Sequence, residues 1–126
     1  MLKRVMLILI GGRSAVPSVA GLLQFITEID QTKFLVCDGE RYQELLLAIQ
    51  QFIQQKNRNF SWLSSDIKSV DPNNFAEVYN AISNLCGDQE EIRYVNLVSA
   101  PQTMAIATYS YFQDHQSQAL IFTVNT

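Results

Sequence analysis

The sequence is poor in the residues that most often mark chemistry. It has one histidine, His115, and two cysteines, Cys37 and Cys86. No CxxC pair and no Cys/His cluster occurs, so neither a zinc site nor any other metal or cofactor is expected. Both cysteines fall in apolar segments and read as reduced, buried thiols. The lone histidine comes late in a helical stretch, where it reads as a partner of the helix dipole or an exposed residue. No serine has a visible activating base, so Ser-His-Asp chemistry lacks support and no catalytic residue is assigned. Charge is scarce too, at 17% of residues with a net of −3. The basic stripe that a long nucleic acid requires is missing. A small anion is not excluded, because backbone N–H groups and helix N-termini hold phosphate without net positive charge. The apolar run Val5–Ile10 is far too short to span a membrane. Lys3 and Arg4 ahead of it imitate the start of a signal peptide, but no adequate apolar region or cleavage site follows, and the cytoplasm is the expected location.

What is present is a core. The 126 residues are 48% hydrophobic, enough for one domain over 1–126 with a genuine interior. Val5–Ile10 is a continuous, branched apolar run of the kind found in strands covered on both faces. Gly11-Gly12 breaks it, Pro17 is suited to a helix start, and Val19, Leu22, Leu23 and Ile26 recur at helical spacing to about Ile29. Phe34–Cys37 reads as a second strand and Arg41–Gln55 as an amphipathic helix rich in glutamine on its polar side. Phe60–Ser64 is a weaker strand candidate. Asp71-Pro72-Asn73-Asn74 makes a turn that starts a helix over Phe75–Leu85. Arg93–Val98 reads as a strand, Pro101 opens a helix ending near His115, and Ala119–Val124 is a last strand. Strand and helix alternate throughout. The expected fold is therefore α/β: three-layer, Rossmann-like, with a mostly parallel sheet and helices on both faces.

In such a sheet, ligands bind outside the carboxyl ends of the strands, where the strand order reverses. That rule selects three loops. The first holds Gly11, Gly12, Arg13, Ser14, Pro17 and Ser18; the second holds Asp38; the third holds Ser99, Ala100, Gln102 and Thr103. Small residues there let a ligand approach the backbone. Gly11-Gly12 serves equally well as a tight strand-to-helix turn. It lacks the G-x-G-x-x-G spacing of dinucleotide folds, and no Walker A lysine follows. Asp38 at a strand end is placed to accept from a ribose hydroxyl, although an Asp-Gly pair also makes a simple turn.

The same loops carry a resemblance. A strand followed by Gly11-Gly12-x-x-x-x-Pro17-Ser18 resembles the first motif of CARF domains, the CRISPR-associated Rossmann folds. It is closest to the sensor domains fused to a restriction-enzyme-like nuclease in CRISPR ancillary effectors. Asp71-Pro72 before a helix and the closing Val124-Asn125-Thr126 fit the same family. Asn96-Leu97-Val98-Ser99-Ala100-Pro101-Gln102-Thr103-Met104-Ala105 stands where the family has Asn-Leu-Thr-Gly-Gly-Thr-Lys-x-Met-Ala. The departures fall in the middle: Val98 replaces the first threonine, Ser99-Ala100 the glycine pair, Pro101 the second threonine, and Gln102 the lysine. A charge-assisted phosphate contact is worth roughly 1.5–3 kcal/mol, which Gln102 replaces with a neutral hydrogen bond unless Arg13 or Arg41 compensates.

The resemblance implies a homodimer that binds a cyclic oligoadenylate, cyclic tetra-adenylate above all, across its two-fold axis in type III CRISPR antiviral signalling. It also implies a fused or separate effector nuclease as partner. Composition alone permits the dimer, through Tyr109, Tyr111 and Phe112. One alternative is a stand-alone, metal-independent ring nuclease that aligns the ribose 2′-OH of the messenger. Another is a nucleotide-binding or structural Rossmann module unrelated to CRISPR.

Overall fold

Val5–Ile10 has no polar side chain, and its six residues are all buried, because they form the middle of a sheet covered on both faces. The computed structural model describes residues 3–11, 16–37, 46, 47, 49, 51, 55, 67–86, 90–115 and 117–123. In chain order the elements are β1 (Lys3–Ile10), α1 (Val16–Gln24), a 3-10 turn (Ile26–Glu28) and β2 (Gln31–Cys37). Then come α2, of which Leu46, Leu47, Ile49, Gln51 and Gln55 are described as helical, β3 (Ile67–Val70) and α3 (Phe75–Leu85). The chain continues with β4 (Glu90–Ser99), α4 (Gln102–Asp114) and β5 (Leu120–Phe122).

The sheet order is β3-β2-β1-β4-β5, and each neighbouring pair is parallel. Side chains alternate between the two faces, as the pleat requires. Leu7, Leu9, Leu35, Val95 and Leu97 meet α3 and α4 on one side. Met6, Ile8, Ile10, Phe34 and Val36 meet Leu22 of α1 and Leu46 and Ile49 of α2 on the other. The three-layer Rossmann-like architecture read from the alternation of elements is the architecture found.

The boundaries differ from the sequence reading in instructive ways. The first helix ends at Gln24, not near Ile29, and a 3-10 turn follows. Asp30 is the cause: its N–H donates to the Arg4 carbonyl at 2.7 Å, and its carboxylate accepts from the Arg4 backbone and guanidinium at 2.9–3.1 Å. The chain must tighten to bring Asp30 to the start of β1. The second strand begins at Gln31, three residues before the expected Phe34, and all seven of its residues are buried. Its polar start hid it from pattern reading. Lys33 donates to the carbonyl of Leu85 at the end of α3, so the ammonium serves as an acceptor-satisfying cap between strand and helix. Ile67–Val70 is a strand that the sequence did not announce, because Lys68 and Ser69 in its middle are exposed. The weaker candidate Phe60–Ser64 lies outside the described residues.

The third helix starts and stops where expected. Asn74 caps it, accepting from Glu77 N at 3.1 Å, while Asp71 Oδ1 accepts from Asn73 N at 3.0 Å. Cys37 is buried in β2, but Cys86 is only half-buried, as the residue that ends α3. Among the described residues no helix is long and apolar enough to cross a membrane.

Two expectations follow from these ties. Lys33→Met leaves the Leu85 carbonyl without its donor and should lower the unfolding free energy by about 1–3 kcal/mol in urea titration followed by circular dichroism. Unchanged stability would show that the bond contributes nothing net. The Arg4 side chain, and next its backbone N–H, hold the Asp30 carboxyl down at about 2 against an ordinary 3.8. The folded state therefore binds this proton later than the unfolded chain does. Its stabilising contribution is complete above about pH 4 and is lost as pH falls toward 2. Carboxyl NMR titration should place the Asp30 midpoint near 2. Because both partners are partly solvated, Asp30→Asn should flatten the acid limb of stability only modestly.

Candidate functional site: the crevice at the strand-order reversal

From β1 the chain moves outward through β2 to β3, then crosses back to β4 and on to β5. The reversal therefore lies between β1 and β4, at their carboxyl ends, where Gly11 and Ala100-Pro101 leave the sheet. These two exits are in contact. A Cβ placed on Gly11 would lie 2.4 Å from Pro101 Cδ, 2.6 Å from Pro101 Cγ and 2.8 Å from Cys37 Sγ. No side chain fits there. Beneath the contact the Cys37 thiol donates to Met104 Sδ at 3.4 Å, and both residues are buried. The meeting point of the two loops is thus a glycine and a proline ring over two sulfurs.

The route into the third loop is set by β4. From Ile8 to Ile10, β1 advances two residues while β4 advances three, from Asn96 to Ser99. This bulge turns the strand at its end, a common device beside functional sites. Asn96 holds it: the fully buried side chain accepts from Val98 N at 3.1 Å through Oδ1, and Ala100 N then donates to Leu97 O at 3.0 Å. On the opposite side of Asn96, α1 comes close. A Cβ on Gly21 would lie 2.8 Å from Asn96 Nδ2 and 2.9 Å from Phe122 Cε2. Gly21 thus lets α1 approach the buried amide.

Two helices begin at this edge, one from each side of the sheet. Neither α1 nor α4 has an acidic residue in its first turn. Pro101 caps α4 with no side-chain hydrogen bond, and the first intrahelical donor is Ala105 N, to Pro101 O at 3.0 Å. The preceding N–H groups of α4 point out of the helix end with its positive dipole, an arrangement suited to an anion. Gln102 is exposed and Thr103 half-buried at that end.

Gly11 meets Pro101, which lies in the chain between Ala100 and Gln102-Thr103, and Ser99 is the last residue of β4. Pro17 and Ser18 belong to the first turn of α1. Gly12, Arg13, Ser14 and Asp38 lie outside the described residues. Sequence reasoning did not select Cys37 or Met104, which nothing but the fold brings under Gly11. It did not assign Asn96 a role either, although an amide within an otherwise apolar strand was the available signal.

His115 is at the other end of the sheet. It follows α4, donates from Nδ1 to Tyr111 O at 2.8 Å and stacks on the Tyr111 ring with centroids 4.1 Å apart. With Cys86, Glu91, Arg93 and Tyr111 it lines a groove of about 330 Å³ near the start of β4. Burial, and next the neighbouring Cys86, push the Tyr111 phenol up to about 12, so it stays neutral. Among the described residues no three His, Cys, Asp or Glu side chains gather into a metal-binding cluster.

Sheet order and crossovers define a Rossmann-like α/β domain whose strand order reverses between β1 and β4. A profile of the Card1 CARF domain matches residues 6–126, and the chain belongs to that family. It is thus a CARF domain, a CRISPR-associated Rossmann fold of the ligand-sensing class. Among solved structures, the fold is similar to that in the crystal structure of protein VC1899 from Vibrio cholerae, with a TM-score of 0.71 and 16% identity. The match covers 97% of this chain and 30% of that one, so the chain spans under a third of that protein. No curated protein matches the chain.

The close approach at Gly11 is open to a double-mutant cycle. Gly11→Ala should cost about 1–3 kcal/mol by overpacking. Pro101→Ala in the same chain should recover part of that loss, with a coupling of about 0.5–3 kcal/mol in chemical denaturation. Strict additivity would mean that the two loops are not in contact.

Proposed function

We propose that the chain is a sensor domain that binds a cyclic oligoadenylate, cyclic tetra-adenylate in particular, across a homodimer in type III CRISPR antiviral signalling. The observation that carries this reading is the close approach of Gly11 and Pro101 at the strand-order reversal, in a chain of the Card1 CARF family. Backbone donors at the start of α4 suit phosphate or ribose oxygens, and the side chains of Gln102 and Thr103 at the same helix end add neutral donors. Gly11, Gly12, Arg13, Ser14, Pro17 and Ser18 form the first ligand loop, Asp38 the second, and Ser99, Ala100, Gln102 and Thr103 the third. A cyclic messenger has rotational symmetry, so a two-fold protein site presents each loop to it twice.

Binding without cleavage is the favoured outcome. Gln102 stands exposed where the resembled motif has lysine, so this loop supplies little charge to a developing transition state. The response then belongs to an effector nuclease, fused or separate. That division of labour suits a chain matching 30% of a longer structural relative.

Isothermal titration with cyclic tetra- and hexa-adenylate, followed by chromatography of the recovered ligand, tests the reading. One molecule of tetra-adenylate bound per dimer and recovered intact is the expected result. Recovery of linear product would make the chain a ring nuclease, and the absence of both heat and thermal shift would remove the messenger from its function.

A further inference from the structure

From Tyr94 to Gln113 the chain has no charged residue, so the carboxyl half of β4, the third loop and nearly all of α4 are neutral. Helix α1, which begins at the same edge of the sheet, has none either. These segments can address a ligand through the pattern of their hydrogen-bond donors and acceptors, and not through side-chain charge. Gln102 is the polar side chain best placed to do so. It is exposed, and it opens α4 directly after the Pro101 ring that closes on Gly11. The Cα–Cβ bonds of a helix tilt toward its start, so the side chain of a first residue leads past the helix end and not down its flank. Nothing else occupies this amide. Among the described residues it has no hydrogen-bond partner, whereas Thr108, further along α4, returns its hydroxyl to Met104 O at 2.7 Å.

We infer that Gln102 determines which base the domain accepts, its amide pairing with the N6 and N7 groups of an adenine in the bound ring. The role rests on the cyclic oligoadenylate reading above and goes beyond it by assigning base recognition to one side chain. An amide donates from Nε2 and accepts at Oε1 in a single plane, whereas an ammonium only donates. Adenine presents the complement, the N7 acceptor beside the N6 amino donor. Guanine presents two acceptors on that edge and a pyrimidine only one donor or one acceptor, so both groups of the amide are met by adenine alone. The neutrality of the surrounding chain favours this use, because no ammonium or carboxylate of β4 or α4 near Gln102 competes for the amide or for the base. Phosphate oxygens are left to the backbone N–H groups at the helix start, and contacts of that kind position a ligand without reading its bases.

A cycle of one substitution and one ligand change tests the inference. Wild type and Gln102→Ala are each titrated with cyclic tetra-adenylate and with its 7-deaza counterpart, in which C–H replaces N7 while ring size and charge are kept. Thermal melts by circular dichroism show that the variant folds, as an exposed position leads one to expect. The wild type should bind the 7-deaza ring about tenfold more weakly than the parent. Gln102→Ala should bind the parent about tenfold more weakly than the wild type does, and it should no longer distinguish the two rings. Equal affinity of the wild type for both rings would overturn the inference while leaving the messenger as ligand. So would an equal loss on the 7-deaza ring in wild type and variant, since another group would then read N7. The absence of heat from the parent ring would remove the messenger itself, and the role of Gln102 with it.

Discussion

At the centre of the sheet, two neighbouring strands end together and their chains must turn in opposite senses, one toward each helical layer. The space at that point is smaller than three side chains would fill. Gly11 contributes none, Pro101 a ring, and Cys37 a thiol that rests on the Met104 sulfur. Everything that makes the crevice follows from this close approach. If β1 and β4 ended with bulkier residues they would be forced apart, and the start of α4 would move away from the first loop. Van der Waals contact, not charge or hydrogen bonding, sets the width of the site.

The second level of control is the Asn96 amide. It is buried within an apolar strand, where a polar group is tolerated only when its hydrogen bonds are met. Its Oδ1 fixes the bulge that aims the third loop, and its other face supports α1 through the gap left by Gly21. One side chain thus relates the two helix starts that flank the crevice. The amide thus ties both helix starts to one strand of a CARF-family domain.

Most of the fold was legible because its evidence is local. The apolar run before Gly11, the Asn74 cap and the helical spacing of Val78, Ile82 and Leu85 each declare themselves within a few residues. The strand at Gln31–Cys37 was only half legible, because Lys33 finds its acceptor on α3, an element distant in sequence. The early end of α1 was hidden for the same reason, since Arg4 lies far from Asp30 along the chain. The candidate site was selected by strand order, a rule of topology, and the family resemblance pointed to the same loops. Its floor was not legible: Cys37 reads as a core thiol, and nothing in its neighbours says that it lies under Gly11. Tyr111 and Phe112, which composition left open to a core or a dimer contact, are buried, since aromatic residues late in a helix suit both equally well.

The strands that enclose the crevice are also the paired strands that lie farthest apart along the chain, with Ile10 set beside Ser99. Pairings of that kind bear the largest loop-closure entropy and come late in folding. An intermediate holding β1, β2 and β3 would have a sheet and half a core, yet no crevice. Ligand capacity is therefore a property of the completed chain topology and not of any fragment. By mass action, whatever fills the crevice stabilises the last long-range closure of the domain.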